Sequence, residues 1–97
     1  MTPGAHFAHI RRLFLVENIA IARLLGEIAD LLEIKNENPF KIRAYRNAAE
    51  TVAHHPDRVA ALSPSDLRQL PGIGKDLADK IAELAETGAI KFHQGLL

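Results

Sequence analysis

No cysteine occurs among the 97 residues. That one absence excludes disulfide frameworks, thiolate nucleophiles and cysteine-ligated zinc together. An excess of charge is also missing. Twelve Lys and Arg balance twelve Asp and Glu, so the total charge does not announce a nucleic-acid partner, and any such site must be a local patch. Nor is there a long hydrophobic run: the best, Ile19 to Leu32, is interrupted by Arg23, Glu27 and Asp30. The first residues lack the basic-then-apolar order of a secretory signal. A chain with no membrane span and a cytoplasmic location is therefore expected. Serine–histidine–aspartate order, a P-loop, internal repeats and low-complexity tracts are all lacking, and the length is too small for a polymerase, a kinase or a dinucleotide fold with separate substrate lobes.

What is present is an ordinary globular composition, 47% apolar and 25% charged, which predicts a single domain that folds alone. Strand alternation is not evident, and helical spacing recurs. Met1 to Ala8 reads as a lead-in, and Ile10, Leu13 and Phe14 suit a short amphipathic helix. Asn18 is a candidate cap for a second helix, in which Ile21, Leu24, Leu25, Ile28, Leu31 and Leu32 recur at helical spacing. Asn38 followed by Pro39 predicts a third start, since proline's missing N–H is not needed in the first turn. In that helix Tyr45, Ala48, Ala49 and Val52 face inward, while Lys41, Arg43, Arg46 and Asn47 face outward. His54-His55-Pro56 ends it.

Val59, Ala60 and Leu62 suggest a helical turn, and Ser63-Pro64-Ser65-Asp66 reads as a capping box opening a short helix that ends at Leu70. After Pro71-Gly72-Ile73-Gly74, the residues Leu77, Ala78, Ile81, Leu84 and Ala85 again follow helical spacing, with Thr87-Gly88 as the stop. The expected fold is thus all-α, a compact four- or five-helix domain. Its boundaries are a partly helical extension over 1–17 and a domain over 18–97.

The connection at Leu70-Pro71-Gly72-Ile73-Gly74 has a chemistry of its own. Two glycines are expected to allow positive φ and close approach to a ligand, and Ile73 to plug inward. Amides at the start of the following helix are then unpaired and carry the positive end of the helix dipole, which favours an anion.

The run Leu70-Pro71-Gly72-Ile73-Gly74-Lys75-Asp76-Leu77-Ala78-Asp79-Lys80-Ile81 resembles a helix-hairpin-helix motif, placed at about 64–87, a DNA-phosphate binder without sequence preference. Upstream, Asn38-Pro39-Phe40-Lys41-Ile42-Arg43-Ala44-Tyr45-Arg46-Asn47-Ala48-Ala49 resembles the second helix of one family. In this order the two runs are similar to the amino-terminal domain of family X DNA polymerases, the group that includes DNA polymerase beta, over roughly Asn18 to Lys91. The resemblance implies binding of gapped or nicked DNA and of 5′-phosphate ends in gap or base-excision repair, a nucleoid-associated place in the cytoplasm, and the polymerase core of a longer parent chain as partner. It also implies a Na+ or K+ ion on the backbone carbonyls of Arg68, Leu70 and Ile73.

Several members of the family remove a 5′-deoxyribose phosphate through a Schiff-base lysine, and the resemblance places that nucleophile at Lys80. No cofactor is required for this lyase chemistry. Read from the residues alone, Lys80 sits beside Leu77 and Ile81 at the edge of the apolar stripe, within reach of Asp76 and Glu83, so a salt-bridged surface lysine and a catalytic one both fit. The family's phosphate pocket maps onto Lys41, Tyr45 and Arg68. From the pattern alone Lys41 is equally a solvated face, and Tyr45 a core residue with a polar tip. Phe40 stands where polymerase beta has a base-stacking histidine, and either stacks on a base or is buried against the first helix. Gly72, Ile73, Gly74 and Lys75 form the phosphate-holding turn; Arg43 and Arg46 either extend the basic surface or are simply solvated. Asp76 departs from the family, standing where polymerase beta has a phosphate-binding lysine, and a carboxylate there would repel the phosphate. The histidines are read as outside any metal site, with His6 and His9 in the lead-in and His54 and His55 at a helix end. Two other readings stay open: a non-catalytic helix-hairpin-helix module of a larger polymerase, and a helical protein-interaction domain.

Overall fold

The structure, a computed structural model, describes residues 16–97. The helix expected from Ile10, and with it His6 and His9, lies outside the described residues. Helix α1, Asn18–Ile34, buries Ile21, Ala22, Leu25, Ile28, Ala29 and Leu32; of the predicted stripe Leu24 and Leu31 are only half-buried, and Ala22 and Ala29 fill the inner face in their place. It ends where Asn36 takes φ 61°, a left-handed conformation that asparagine tolerates better than most residues. The exit is closed by Glu37 N–H donating to the Leu32 carbonyl at 2.9 Å.

Asn18 does not cap α1. The capping position is Glu17, whose side chain makes no capping hydrogen bond. Asn18 instead reaches across the fold: its Nδ2 donates to the carbonyls of His55 at 3.2 Å and Asp57 at 2.7 Å, and its Oδ1 accepts from Val59 N–H at 2.9 Å. The start of α1 thereby holds the chain that leaves the next helix, and a local signal is overridden by tertiary demand for backbone partners.

Helix α2, Pro39–His54, starts as its sequence predicts, with Asn38 Oδ1 accepting from Phe40 N–H at 2.8 Å and proline in the first turn. Tyr45, Ala48 and Val52 are buried against α1. A 3-10 turn, Val59–Ala61, buries Val59 and Ala60 and leads into α3, Pro64–Leu67. Ser63 Oγ caps α3 by accepting from Asp66 N–H at 3.1 Å. This helix is shorter than expected. It stops at Leu67 rather than Leu70, because Gln69 and Leu70 donate to carbonyls three residues back, Asp66 and Leu67, and tighten the backbone into turns.

Helix α4, Lys75–Thr87, buries Leu77, Ala78, Ile81, Leu84 and Ala85 and stops at Gly88, φ 82°, whose N–H donates to the Leu84 carbonyl at 2.8 Å. A further helix, α5, Lys91–Leu96, follows. It has too few residues to display an apolar period, and no sequence signal announces it. Its anchors are tertiary. Ile90 is buried in the core, Glu83 Oε2 of α4 accepts from Lys91 N–H at 2.8 Å, and His93 Nε2 meets Glu27 Oε2 of α1 at 3.0 Å. The described residues thus form an all-α domain of five helices and contain no strand, and no described helix is long and apolar enough to cross a membrane.

Candidate functional site

The hairpin between α3 and α4 is built around Ile73, which is buried and donates its N–H to the Leu70 carbonyl at 3.1 Å. Gly72 takes φ 76°, where a side chain would be strained. Gly74 corrects the expectation of two left-handed glycines, since its φ of −89° and ψ of −170° are extended and open to any residue. What matters at Gly74 is the missing side chain. No side chain caps α4, and the first bond of the helix is from Ala78 N–H to the Gly74 carbonyl at 2.9 Å. The amides of Lys75, Asp76 and Leu77 are left without an acceptor among the described residues. They lie at the positive end of a 13-residue helix, which is the electrostatic setting for an anion. Thr51 of α2 donates its hydroxyl to the Pro71 carbonyl at 2.9 Å and fastens the turn to the body of the domain.

Beside this turn, α2, α4 and α5 bring a second group together. Lys41 Nζ lies 4.7 Å and Lys80 Nζ 5.0 Å from the centre of the Phe92 ring, and the Tyr45 ring stacks on Phe92 at 6.0 Å, only 11° from parallel. Asp76 Oδ1 holds Lys80 Nζ at 2.7 Å. Lys41, Tyr45 and Lys80, expected from the sequence, therefore meet. Phe92 was not expected. Its only signal is an aromatic beside Lys91, and six helical residues give no period from which to place it.

Tyr45 is core with a polar tip, as its position in the inward stripe suggests: it is 2% exposed, and its hydroxyl makes no hydrogen bond. Burial pushes its pKa up, with the Lys80 charge opposing that rise in part. The hydroxyl is felt by Lys80 through charge, the ammonium favouring the phenolate and the phenolate favouring the ammonium. The Lys80 side chain keeps 16% of its exposure. That burial by itself favours the neutral amine, but the Asp76 hydrogen bond and the coupling to Tyr45 and Asp76 outweigh it, and the Lys80 pKa is raised. Lys80 rests as an ammonium ion at neutral pH. The other acid expected to reach it, Glu83, is turned to the α5 amide instead. Asp76, expected to repel phosphate, has its charge matched by Lys80 at short range.

The remaining candidates spread outward. Phe40 is 76% exposed, which removes the reading of a residue buried against α1, and the Arg43 guanidinium lies 6.0 Å from its ring centre. Arg46 is not brought to this group: it bridges Asp30 at 3.0 Å and Glu33 at 2.6 Å and ties α2 to α1. Lys75 is exposed and pairs with Asp79 at 3.0 Å. Arg68 is exposed at the end of α3. The carbonyls of Arg68 and Ile73 accept none of the turn hydrogen bonds and that of Leu70 accepts one, which leaves lone pairs on all three. A cleft of about 420 Å³, lined by Glu33, Asn36, Glu37, Pro39, Ile42, Arg43 and Arg46, does not include Lys80. Nor does it include any residue of the hairpin or the other members of the lysine–aromatic group.

Residues 16–90 match the model of a family described as a helix-hairpin-helix domain. The DNA polymerase/3'-5' exonuclease PolX of Bacillus subtilis (strain 168) is 37% identical over 68 residues, which are 70% of this chain and 12% of that protein. The chain thus corresponds to a small part of the length of this relative.

Proposed function

The chain belongs to the helix-hairpin-helix domain family, and from that premise we propose that it grips the phosphates of gapped or nicked DNA without sequence preference. The observation that carries this reading is the open row of amides at Lys75, Asp76 and Leu77. Backbone donors at a helix start recognise phosphate and are blind to the base, so the contact positions DNA without specifying sequence. Gly72, Ile73 and Gly74 shape the turn, and Lys41, Lys75 and Arg68 supply cationic reach. The exposed Phe40, with Arg43 beside it, is a surface on which an unpaired base at a gap can stack. A Na+ or K+ ion on the carbonyls of Arg68, Leu70 and Ile73 would add positive charge under the same phosphate. Holding DNA for the polymerase core of a longer protein, on the nucleoid in the cytoplasm, goes with this reading and with the relative's name.

Fluorescence anisotropy with gapped, nicked and intact duplex tests it. Affinity should fall steeply with salt, by about one logarithmic unit per logarithmic unit of salt for each phosphate contacted. Weak binding that ignores salt would point to a protein-interaction domain instead.

A second reading is favoured by the sheltered position of Lys80: the chain is a 5′-deoxyribose-phosphate lyase. The neutral amine adds to the C1′ aldehyde and water leaves to give an imine. Loss of a C2′ proton then expels the 3′-phosphate, and hydrolysis returns the amine. Borohydride trapping on gapped DNA bearing a 5′-deoxyribose phosphate should give a covalent adduct that Lys80→Ala abolishes. Salt-dependent binding without any adduct would leave the non-catalytic module.

A further inference from the structure

We propose that Phe92 is a positioning residue whose ring gathers the Lys41 and Lys80 ammonium groups into one cationic pair able to share a single terminal phosphate. The inference rests on the DNA-binding reading and names how its lysines are arranged.

Two ammonium ions repel each other and tend to diverge into water. Here they approach one ring, at 4.7 Å and 5.0 Å from its centre, and the negative face of an aromatic offsets that repulsion. The two lysines come from different helices, Lys41 from α2 and Lys80 from α4, so no local spacing brings them together. The ring itself is held on several sides. Tyr45 stacks on it within 11° of parallel, Glu83 holds the α5 amide of Lys91, His93 meets Glu27, and Ile90 is sunk in the core. Phe92 is thus a fixed platform within reach of both cations. Asp76 holds Lys80 from one side and leaves Lys41 to be placed by the ring. A terminal phosphate monoester, with nearly two negative charges at neutral pH, competes with the Asp76 carboxylate for Lys80 while Lys41 holds it from the other helix, which an internal diester with one charge does less well.

The test compares the native chain with Phe92→Leu, which keeps apolar bulk, and Phe92→Tyr, which keeps the ring, with helical melting curves to confirm that all three fold. In the free protein, the Lys80 side-chain NMR signals are followed through an alkaline titration. Phe92→Leu should lower the Lys80 midpoint by about half a unit to one unit, and Phe92→Tyr should restore it. On DNA, the affinity ratio for gapped substrate with a 5′-phosphate over one with a 5′-hydroxyl should fall roughly threefold in Phe92→Leu and recover in Phe92→Tyr.

An unchanged Lys80 titration in Phe92→Leu, or one that Phe92→Tyr fails to restore, overturns the positioning role. A native chain that binds both gapped substrates equally overturns the shared-phosphate role while leaving DNA binding intact. A native chain that binds neither defeats the DNA reading itself, and the titration still decides whether the ring positions Lys80.

Discussion

Lys80 faces two opposed demands at the scale of single residues. As an electrostatic partner for phosphate it must be charged, and as a nucleophile it must be neutral. The raised pKa set by Asp76 serves the first demand. Asp76→Asn removes the carboxylate that stabilises the ammonium form, so the pH profile of imine trapping should move toward lower pH and the adduct yield at pH 7 should rise several-fold. An unchanged profile would mean that Asp76 does not govern the amine. Gly72 gives a second, purely structural prediction. A Cβ there would meet Asn47 Cβ only at 3.9 Å, an ordinary contact, so Gly72→Ala is strained by its φ of 76° alone. Denaturant melts should show a loss of about 1–2 kcal/mol. The candidate residues Lys41, Tyr45 and Lys80 were legible because each lies in a long motif. Phe92 was not, because what brings it to the site is contact with residues far away in sequence.

Among the elements, α4 holds function and stability in tension. Its first amides are free because Gly74 has no side chain to accept from them. Gly74→Ser would supply a neutral cap without clash, since nothing lies within 4 Å of a Cβ at that position. The variant should be more stable by a few tenths of a kcal/mol, and its DNA affinity should drop because the serine oxygen takes an amide from the phosphate. Higher stability with unchanged affinity would show that these amides do not bind DNA. The long helices α1 and α2 were readable from apolar period and caps, and α2 from its Asn38-Pro39 start. The short ones were not. The capping box and propensity extend α3 to Leu70, since propensity cannot say where a turn will tighten, and nothing local announces α5, because Glu83, Glu27 and the core hold a segment with little signal of its own.

For the whole molecule, alkaline pH is the informative axis. Both Tyr45 and Lys80 have folded pKa values raised above their unfolded ones. Each therefore contributes stability that is complete below its unfolded pKa, near about 10 for tyrosine and about 10.4 for lysine, and is lost as pH rises through the folded value. Thermal melts between about pH 8 and 11.5 should show a plateau followed by a decline that begins near pH 10. Asp76→Asn should soften the Lys80 part of it, whereas a flat curve would contradict the placement of both groups. Core truncation tests the packing separately. Leu25, fully buried on the inner face of α1, should cost about 2–5 kcal/mol when changed to alanine, a large share of what a domain of this size has available.

Sequence by itself determined the helical class, the α1 and α2 stripes, the buried Ile73, the Gly88 stop and the motif that places the chain in its family, because these depend on contacts within a few residues. Asn18, Arg46 and Phe92 were decided only by tertiary structure. Asn18 became a clasp on the 55–59 connection, Arg46 a tie between two helices, and Phe92 the platform for two lysines. The partners of all three lie more than a helical turn away along the chain, where helical periodicity and capping patterns carry no information.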